Sequence, residues 1–206
     1  MLSKPKPFFL HAARDATRST VAVPVCGDTM SGVYNREAIL SMLFRETDRV
    51  QRTGSPLSLL LLDIDDFSGW NSRLGKEACD DLLCQVAGRL TRLLRSYDLL
   101  GRIGNDEFLL GLPGCEPANA VRLAERIRAE VFCTMFQVGE ESSRLSACIG
   151  IAFSQGRSPV VVLREAVQAL GWARQAGPES IQCWDNSVDG PVSVIFPDSG
   201  DEFPGW

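Results

Sequence analysis

Two short stretches carry acids where a binding or catalytic site needs them. In residues 59–71, LLLLDIDDFSGWN, an apolar run ends in Asp63, Asp65 and Asp66. In residues 102–110, RIGNDEFLL, Asp106 and Glu107 follow Gly104 and Asn105 between two apolar segments. In α/β folds, ligands gather at the carboxyl ends of strands. Carboxylates brought together without a base repel one another unless a cation joins them. Hard oxygen donors at a strand end suit Mg²⁺, which also takes substrate phosphates. A lone strand-end Asp marks a turn more often than a site; two acidic tips expected to meet favour the metal. The only His is His11, which argues against His-built metal centres and His-activated nucleophiles.

The elements that must position these acids alternate along the chain. Residues 35–51 place Ile39, Met42, Leu43 and Val50 on one helical face. LSLLLLDID is a continuous apolar run of strand length, as in a buried central strand. Residues 76–95 repeat Leu82, Leu83, Val86, Leu90, Leu93 and Leu94, a second helix. LLGRI and FLLGLP read as a hairpin, with Gly104 and Asn105 suited to positive φ at its turn. Residues 117–132 form a third helix through Val121, Ala124, Ile127 and Val131; LSACIGIAFS follows as a strand. Residues 158–176 form a helix with Ser158 as N-cap and Pro159 in its first turn. SIQCW closes as a short strand, and VSVIF offers one more. The expected fold is α/β (an α+β sandwich): a central, mainly antiparallel or mixed sheet flanked by helices.

Bulk properties narrow the class. The chain has 206 residues, 45% of them hydrophobic and 23% charged, ordinary for a soluble globular protein able to bury a core. Its seven Cys are scattered without CxxC pairs, which points to reduced thiols in a cytoplasmic protein and away from a disulfide framework or zinc site. No signal peptide or membrane span is legible. Lys4, Lys6, Arg14 and Arg18 make residues 1–27 a basic extension. Asp185, Asp189, Asp198, Asp201 and Glu202 make residues 185–206 an acidic tail without a base. These ends can pair with each other or with a protein partner. The net charge of −5 and an acidic body argue against general nucleic-acid binding.

Five motifs in order make residues 28–184 resemble a GGDEF domain, the family that includes the diguanylate cyclases. DTMSGVYNR resembles its opening D-x-L-T-G-L-x-N-R. DIDDFSGWN resembles D-I-D-x-F-K-x-x-N, and GKEACDD resembles G-H-x-x-G-D. GNDEF stands at the signature. AVQALGWARQAGP resembles A-D-x-A-L-Y-x-A-K-x-x-G-R. The resemblance implies a homodimer in which each protomer binds GTP. Each 3′-hydroxyl attacks the other's α-phosphate, giving cyclic di-GMP and two pyrophosphates. It implies Mg²⁺ (or Mn²⁺) held by Asp63, the carbonyl of Ile64 and Asp106. It implies guanine read by Asn71 and Asp80, Gly104 and Asn105 beside the nucleotide, Glu107 near the reacting hydroxyl, and Arg174 as the cation toward phosphate. Arg95 and Asp98, the R-x-x-D upstream of the signature, match an inhibitory site for cyclic di-GMP. Arg92 shares a helical face with Arg95 if the second helix runs that far.

The departures cluster on the triphosphate side. The family Lys after D-I-D-x-F is Ser68, and the Arg of G-R is Pro178. Val167 and Gly171 replace an Asp and a Tyr, and Asn105 replaces the second Gly of the signature. Two readings follow: a weak diguanylate cyclase, and a non-catalytic receptor for GTP or cyclic di-GMP. No sensor domain or long dimerising helix is legible before Asp28, an expectation that favours the receptor, or a partner that supplies dimerisation.

Overall fold

The computed structural model describes residues 27–28, 31–138, 141–185 and 190–193. The central strand is β1, Leu57–Ile64, and its alternation decides the layers. Leu60, Leu62 and Ile64 point into one core; Leu57, Leu59 and Leu61 point into the other. Burying each such Leu contributes about 1.5–3 kcal/mol.

The second core is covered by α1, Arg36–Thr53, and α5, Pro159–Ala176, through Ile39, Leu43 and Val50 and through Val162, Ala166 and Leu170. Asn35 caps α1, its side chain accepting from the Ala38 N–H at 2.9 Å. Ser158 caps α5 as expected, with Pro159 in the first turn. Gly150 lets α5 sit directly on the sheet: a Cβ there would lie 2.2 Å from the Leu170 nitrogen.

The opposite core is covered by α3, Lys76–Leu93, and α4, Pro117–Arg126, which widens into a π-helical turn over Ile127–Phe132. The sequence pattern had run these last two together as one regular helix.

Six strands form one mixed sheet. With β2 (Leu99–Arg102), β3 (Glu107–Pro113), β6 (Ala147–Phe153), β7 (Ile181–Asp185) and β8 (Gly190–Ser193), the order is β2-β3-β1-β6-β7-β8. All neighbours are antiparallel except β6 and β7, which run parallel around the α5 crossover. The strand expected at VSVIF is β8, described only as far as Ser193; it extends the sheet into residues assigned to the tail. His11, Cys26 and most of both terminal extensions lie outside the described residues.

Two elements had no counterpart in the sequence reading. One is α2, Phe67–Leu74, which begins directly after β1. Asp66 enters it in the left-handed region at φ 50°, which a short polar side chain tolerates. A Cβ on Gly69 would lie 2.5 Å from an Asp66 carboxylate oxygen, so glycine leaves room for that side chain. The other is a separate hairpin, β4 (Met135–Val138) with β5 (Glu141–Arg144). Arg89 of α3 fastens it, donating to the carbonyls of Val131 at 3.1 Å and Met135 at 2.6 Å and lying over the Phe136 ring.

Candidate active site

The strand register brings the two acidic tips together. Asp63, near the end of β1, pairs opposite Glu107, the first residue of β3. The Ile64 N–H donates to the Asp106 carbonyl at 3.3 Å. Arg174, in the last turn of α5, reaches across both strands. Its Nε donates to Asp63 Oδ1 at 3.0 Å and its Nη2 to Glu107 Oε1 at 2.9 Å; Nη2 also stands 2.5 Å from Asp63 Oδ2. The third acid, Asp65, faces the turn after α5, where Oδ1 accepts from the Cys148 thiol and Oδ2 from the Glu179 N–H.

The electrostatics leave this cluster short of positive charge. Burial raises the Asp63 carboxyl above its ordinary 3.8, outweighing the pull of Arg174 in the other direction. Burial also raises Asp106, and the charges of Asp63 and Glu107 add to it. Bonding to Asp63 holds the Arg174 guanidinium more firmly charged. Burial pushes the Cys148 thiol up to about 12, so it stays a donor to Asp65. Among the described residues no three His, Cys, Asp or Glu side chains form a ready metal cage. Asp63 and Asp106, whose charges act on each other, offer carboxylate oxygens that could hold a cation here. One guanidinium among three carboxylates leaves a net negative site of hard oxygens, which suits a divalent ion retaining water and phosphate ligands.

Two arginines that the sequence reading did not single out hold the signature turn. Arg36 donates to the Ile103 carbonyl at 2.9 Å, and Arg102 to the Asn105 carbonyl at 2.6 Å. Arg102 also approaches Asp28 at 3.7 Å. The opening motif is tied to β2 as well: Tyr34 N–H donates to the Leu100 carbonyl and Arg102 N–H to the Tyr34 carbonyl. The turn itself differs from the one expected. Neither Gly104 nor Asn105 has positive φ. Residues 103–106 form a longer loop, in which the Ile103 N–H donates to the Glu107 carbonyl at 2.9 Å. A Cβ at 104 would lie 2.8 Å from Glu107 Oε2, so a larger residue there would displace the Glu107 carboxylate from its present place.

Asn71 and Asp80 stand at the α2–α3 corner, with Gly75 at φ 81° making the bend between the helices. Asn71 is exposed and Asp80 half-buried. The Asn71 amide carries both a donor and an acceptor, and the Asp80 carboxylate carries acceptors alone.

The family described as "Diguanylate cyclase, GGDEF domain" matches residues 25–180. The chain belongs to the GGDEF family. It is 32% identical over 158 residues to the response regulator PleD of Caulobacter vibrioides, covering 75% of this chain and 35% of that protein. It is 34% identical over 156 residues to the diguanylate cyclase DgcP of Pseudomonas aeruginosa, covering 75% and 23%. The chain thus spans about a third or less of these curated relatives. The diguanylate cyclase SiaD of Pseudomonas aeruginosa, solved with its activator SiaC, superposes with a TM-score of 0.72 at 32% identity, over 77% of this chain and 61% of that one. The GGDEF domain of DgcB from Caulobacter crescentus, solved with c-di-GMP, gives 0.74 at 24% identity, over 82% and 98%, a likeness of fold.

Against the GGDEF pattern, the substituted positions lie open to solvent: Ser68 at the start of α2, Pro178 just past α5, and Val167, which is 51% exposed on α5. Gly171, mid-helix, has nothing near its Cβ position. The R-x-x-D residues form a turn. α3 ends at Leu93, so Arg95 lies beyond the helix and shares no helical face with Arg92, contrary to expectation. Asp98 Oδ2 accepts from the Arg95 N–H at 2.8 Å, and the exposed Arg95 guanidinium donates to the Tyr97 hydroxyl at 3.0 Å. No helix among the described residues is long and apolar enough to cross a membrane.

Proposed function

We propose that this GGDEF domain binds GTP with Mg²⁺, or Mn²⁺ in its place, and joins two GTP molecules into cyclic di-GMP at a turnover lowered by its thinned triphosphate contacts. The observation that carries the reading is the Arg174 bridge: one cation from α5 meets Asp63 of β1 and Glu107 of β3 at a single point. Asp63, the Ile64 carbonyl and Asp106 would hold the metal. When bound, the metal supplies charge neutralisation for the phosphates and orients them. Arg174 steers the triphosphate, and Glu107 accepts a hydrogen bond from the attacking 3′-hydroxyl. Asn71 and Asp80 read guanine, whose N1 and N2 donors and N3 and O6 acceptors match an amide beside a carboxylate. Because each hydroxyl attacks the other nucleotide, the reaction needs two copies face to face. Ser68 and Pro178 remove two cationic contacts, which weakens transition-state positioning more than recognition.

The test is incubation of the purified protein with GTP and Mg²⁺ followed by nucleotide separation, with calorimetry against GTP and ATP. Cyclic di-GMP formation and a metal-strengthened preference for GTP are expected. Equal affinity for GTP and ATP would sink the assignment of Asn71 and Asp80.

A second reading concerns Arg95 and Asp98. The turn leaves the Arg95 guanidinium exposed and pre-shaped by Tyr97 and Asp98, a fork suited to a phosphate or a guanine edge. In this reading cyclic di-GMP binds there whether or not GTP is turned over. Arg95→Ala should abolish that binding while GTP affinity holds; wild-type protein that ignores cyclic di-GMP well above micromolar concentration rules it out.

A further inference from the structure

Asp63 lies on β1 and Asp65 in the turn that follows Ile64, and the two side chains meet successive parts of the α5 region. Asp63 meets Arg174. Asp65 meets the turn that α5 runs into: its Oδ2 accepts from the Glu179 N–H at 3.0 Å. Its Oδ1 accepts from the Cys148 thiol at 3.1 Å, and that sulfur also stands 3.4 Å from the Gly177 carbonyl. The Asp65 N–H is tied to the Ser146 carbonyl at 2.9 Å. Glu179 is held at φ 61°, a conformation that costs a non-glycine residue energy and needs support from its surroundings. Its carboxylate pairs with Arg144 at 2.9 Å. The turn is thus gripped at a backbone N–H, a carbonyl and a side chain, three residues beyond Arg174.

We propose that Asp65 is a positioning residue: it locks the 177–179 turn to the end of β1, which fixes where α5 ends and so sets the Arg174 guanidinium against Asp63 and Glu107. The three carboxylates of the D-I-D-D run thereby divide their work. Asp63 belongs to the reacting cluster, Asp65 holds the frame that delivers its cation, and Asp66 starts α2.

The test needs wild-type protein, Asp65→Ala, Asp65→Asn, Arg174→Ala and the Asp65→Ala/Arg174→Ala double variant. The first readout uses no ligand. The Nε–H resonance of Arg174, assigned by its loss in Arg174→Ala, should exchange slowly in the wild type. In Asp65→Ala it should move into the free-arginine range while the backbone amide spectrum stays native. The second readout is GTP affinity with Mg²⁺, which rests on the nucleotide reading above. Asp65→Ala should weaken it about tenfold, the scale of one hydrogen bond to a charged group. The double variant should bind no more weakly than Arg174→Ala alone, because both changes remove one effect. Asp65→Asn keeps an acceptor for the Glu179 N–H and should fall between wild type and Asp65→Ala; it also serves if the alanine variant does not fold. An unmoved Arg174 resonance in folded Asp65→Ala, or losses that add in the double variant, overturns the proposal. Failure of the wild type to bind GTP removes the nucleotide reading and leaves the resonance to decide.

Discussion

The two halves of the proposed nucleotide site are built differently. At the β1–β3 tip, Asp63, Glu107 and Arg174 already hold one another, and the turn beside them is clamped by Arg36 and Arg102. At the α2–α3 corner, Asn71 and Asp80 are placed by the two helices and the bend at Gly75 between them. The first half is pre-organised, so changes there disturb both fold and chemistry. The second is poised, so changes there should alter recognition and leave stability alone.

That contrast can be broken most severely at Asp63. Asp63→Ala removes the proposed metal donor and a direct partner of Arg174; turnover should fall by at least about 10²–10³-fold, the scale of one lost electrostatic contact at a reacting centre. Steady-state cyclic di-GMP production measures it. A change in the opposite direction should come from Ser68→Lys with Pro178→Arg. Two restored phosphate contacts should raise output by roughly 10–100-fold. No gain in a protein shown to bind GTP would shift the limitation to Asn105 or to dimer formation.

On the poised half, Asn71→Ala should cost about tenfold in GTP over ATP preference, read by competition binding. Its thermal unfolding should stay within about 0.5 kcal/mol of the parent. A large loss of stability would show that the corner is pre-organised after all.

The smallest effect sharpens the comparison through pH. Asp106 is raised above 3.8 first by burial and then by Asp63 and Glu107. Its ionised form is therefore less favourable in the fold than in the unfolded chain. The fold loses stability as pH rises through the raised value, and below the unfolded value that loss is absent. In chelator, Asp106→Asn should melt slightly higher than the parent at pH 7, with the gap closing as the pH approaches 4. Adding GTP and Mg²⁺ should reverse the order, because only the parent keeps the proposed metal donor. Calorimetric melts across pH read both outcomes.

Much of this was legible in the sequence because the signals are local. The apolar run ending at Asp63 and the acids after Gly104-Asn105 announced two strand tips, and their meeting followed from placing the strands side by side. What escaped depends on distant partners. Arg36 grips a carbonyl 67 residues away, and a backbone carbonyl leaves no complementary letter in the sequence. Asp65 likewise reads as one more strand-end acid until Glu179, 114 residues on, is seen to donate to it. α2 was missed because Ser68 and Gly69 break the apolar rhythm of an eight-residue helix. The hairpin turn differs from the expected one because Gly104 lies beside the Glu107 side chain without a positive φ, and glycine looks the same in sequence whether it leaves room for a neighbour or supplies a left-handed backbone.

The close seat of α5 on Gly150 has a consequence for how such a sequence can vary. The Leu170 nitrogen fills the place of a Cβ, so the helix is spaced from β6 by main chain and not by interchangeable side chains. Arg174 lies one turn further on. Substitutions that trade volume among Val162, Ala166 and their neighbours can therefore wear down stability while the cation keeps its address. Any side chain at position 150 does the reverse, lifting the helix and moving the cation even if the protein remains well folded. Stability and activity are thus recorded at separate positions of the same helix–strand contact, and sequence change can erode one while sparing the other.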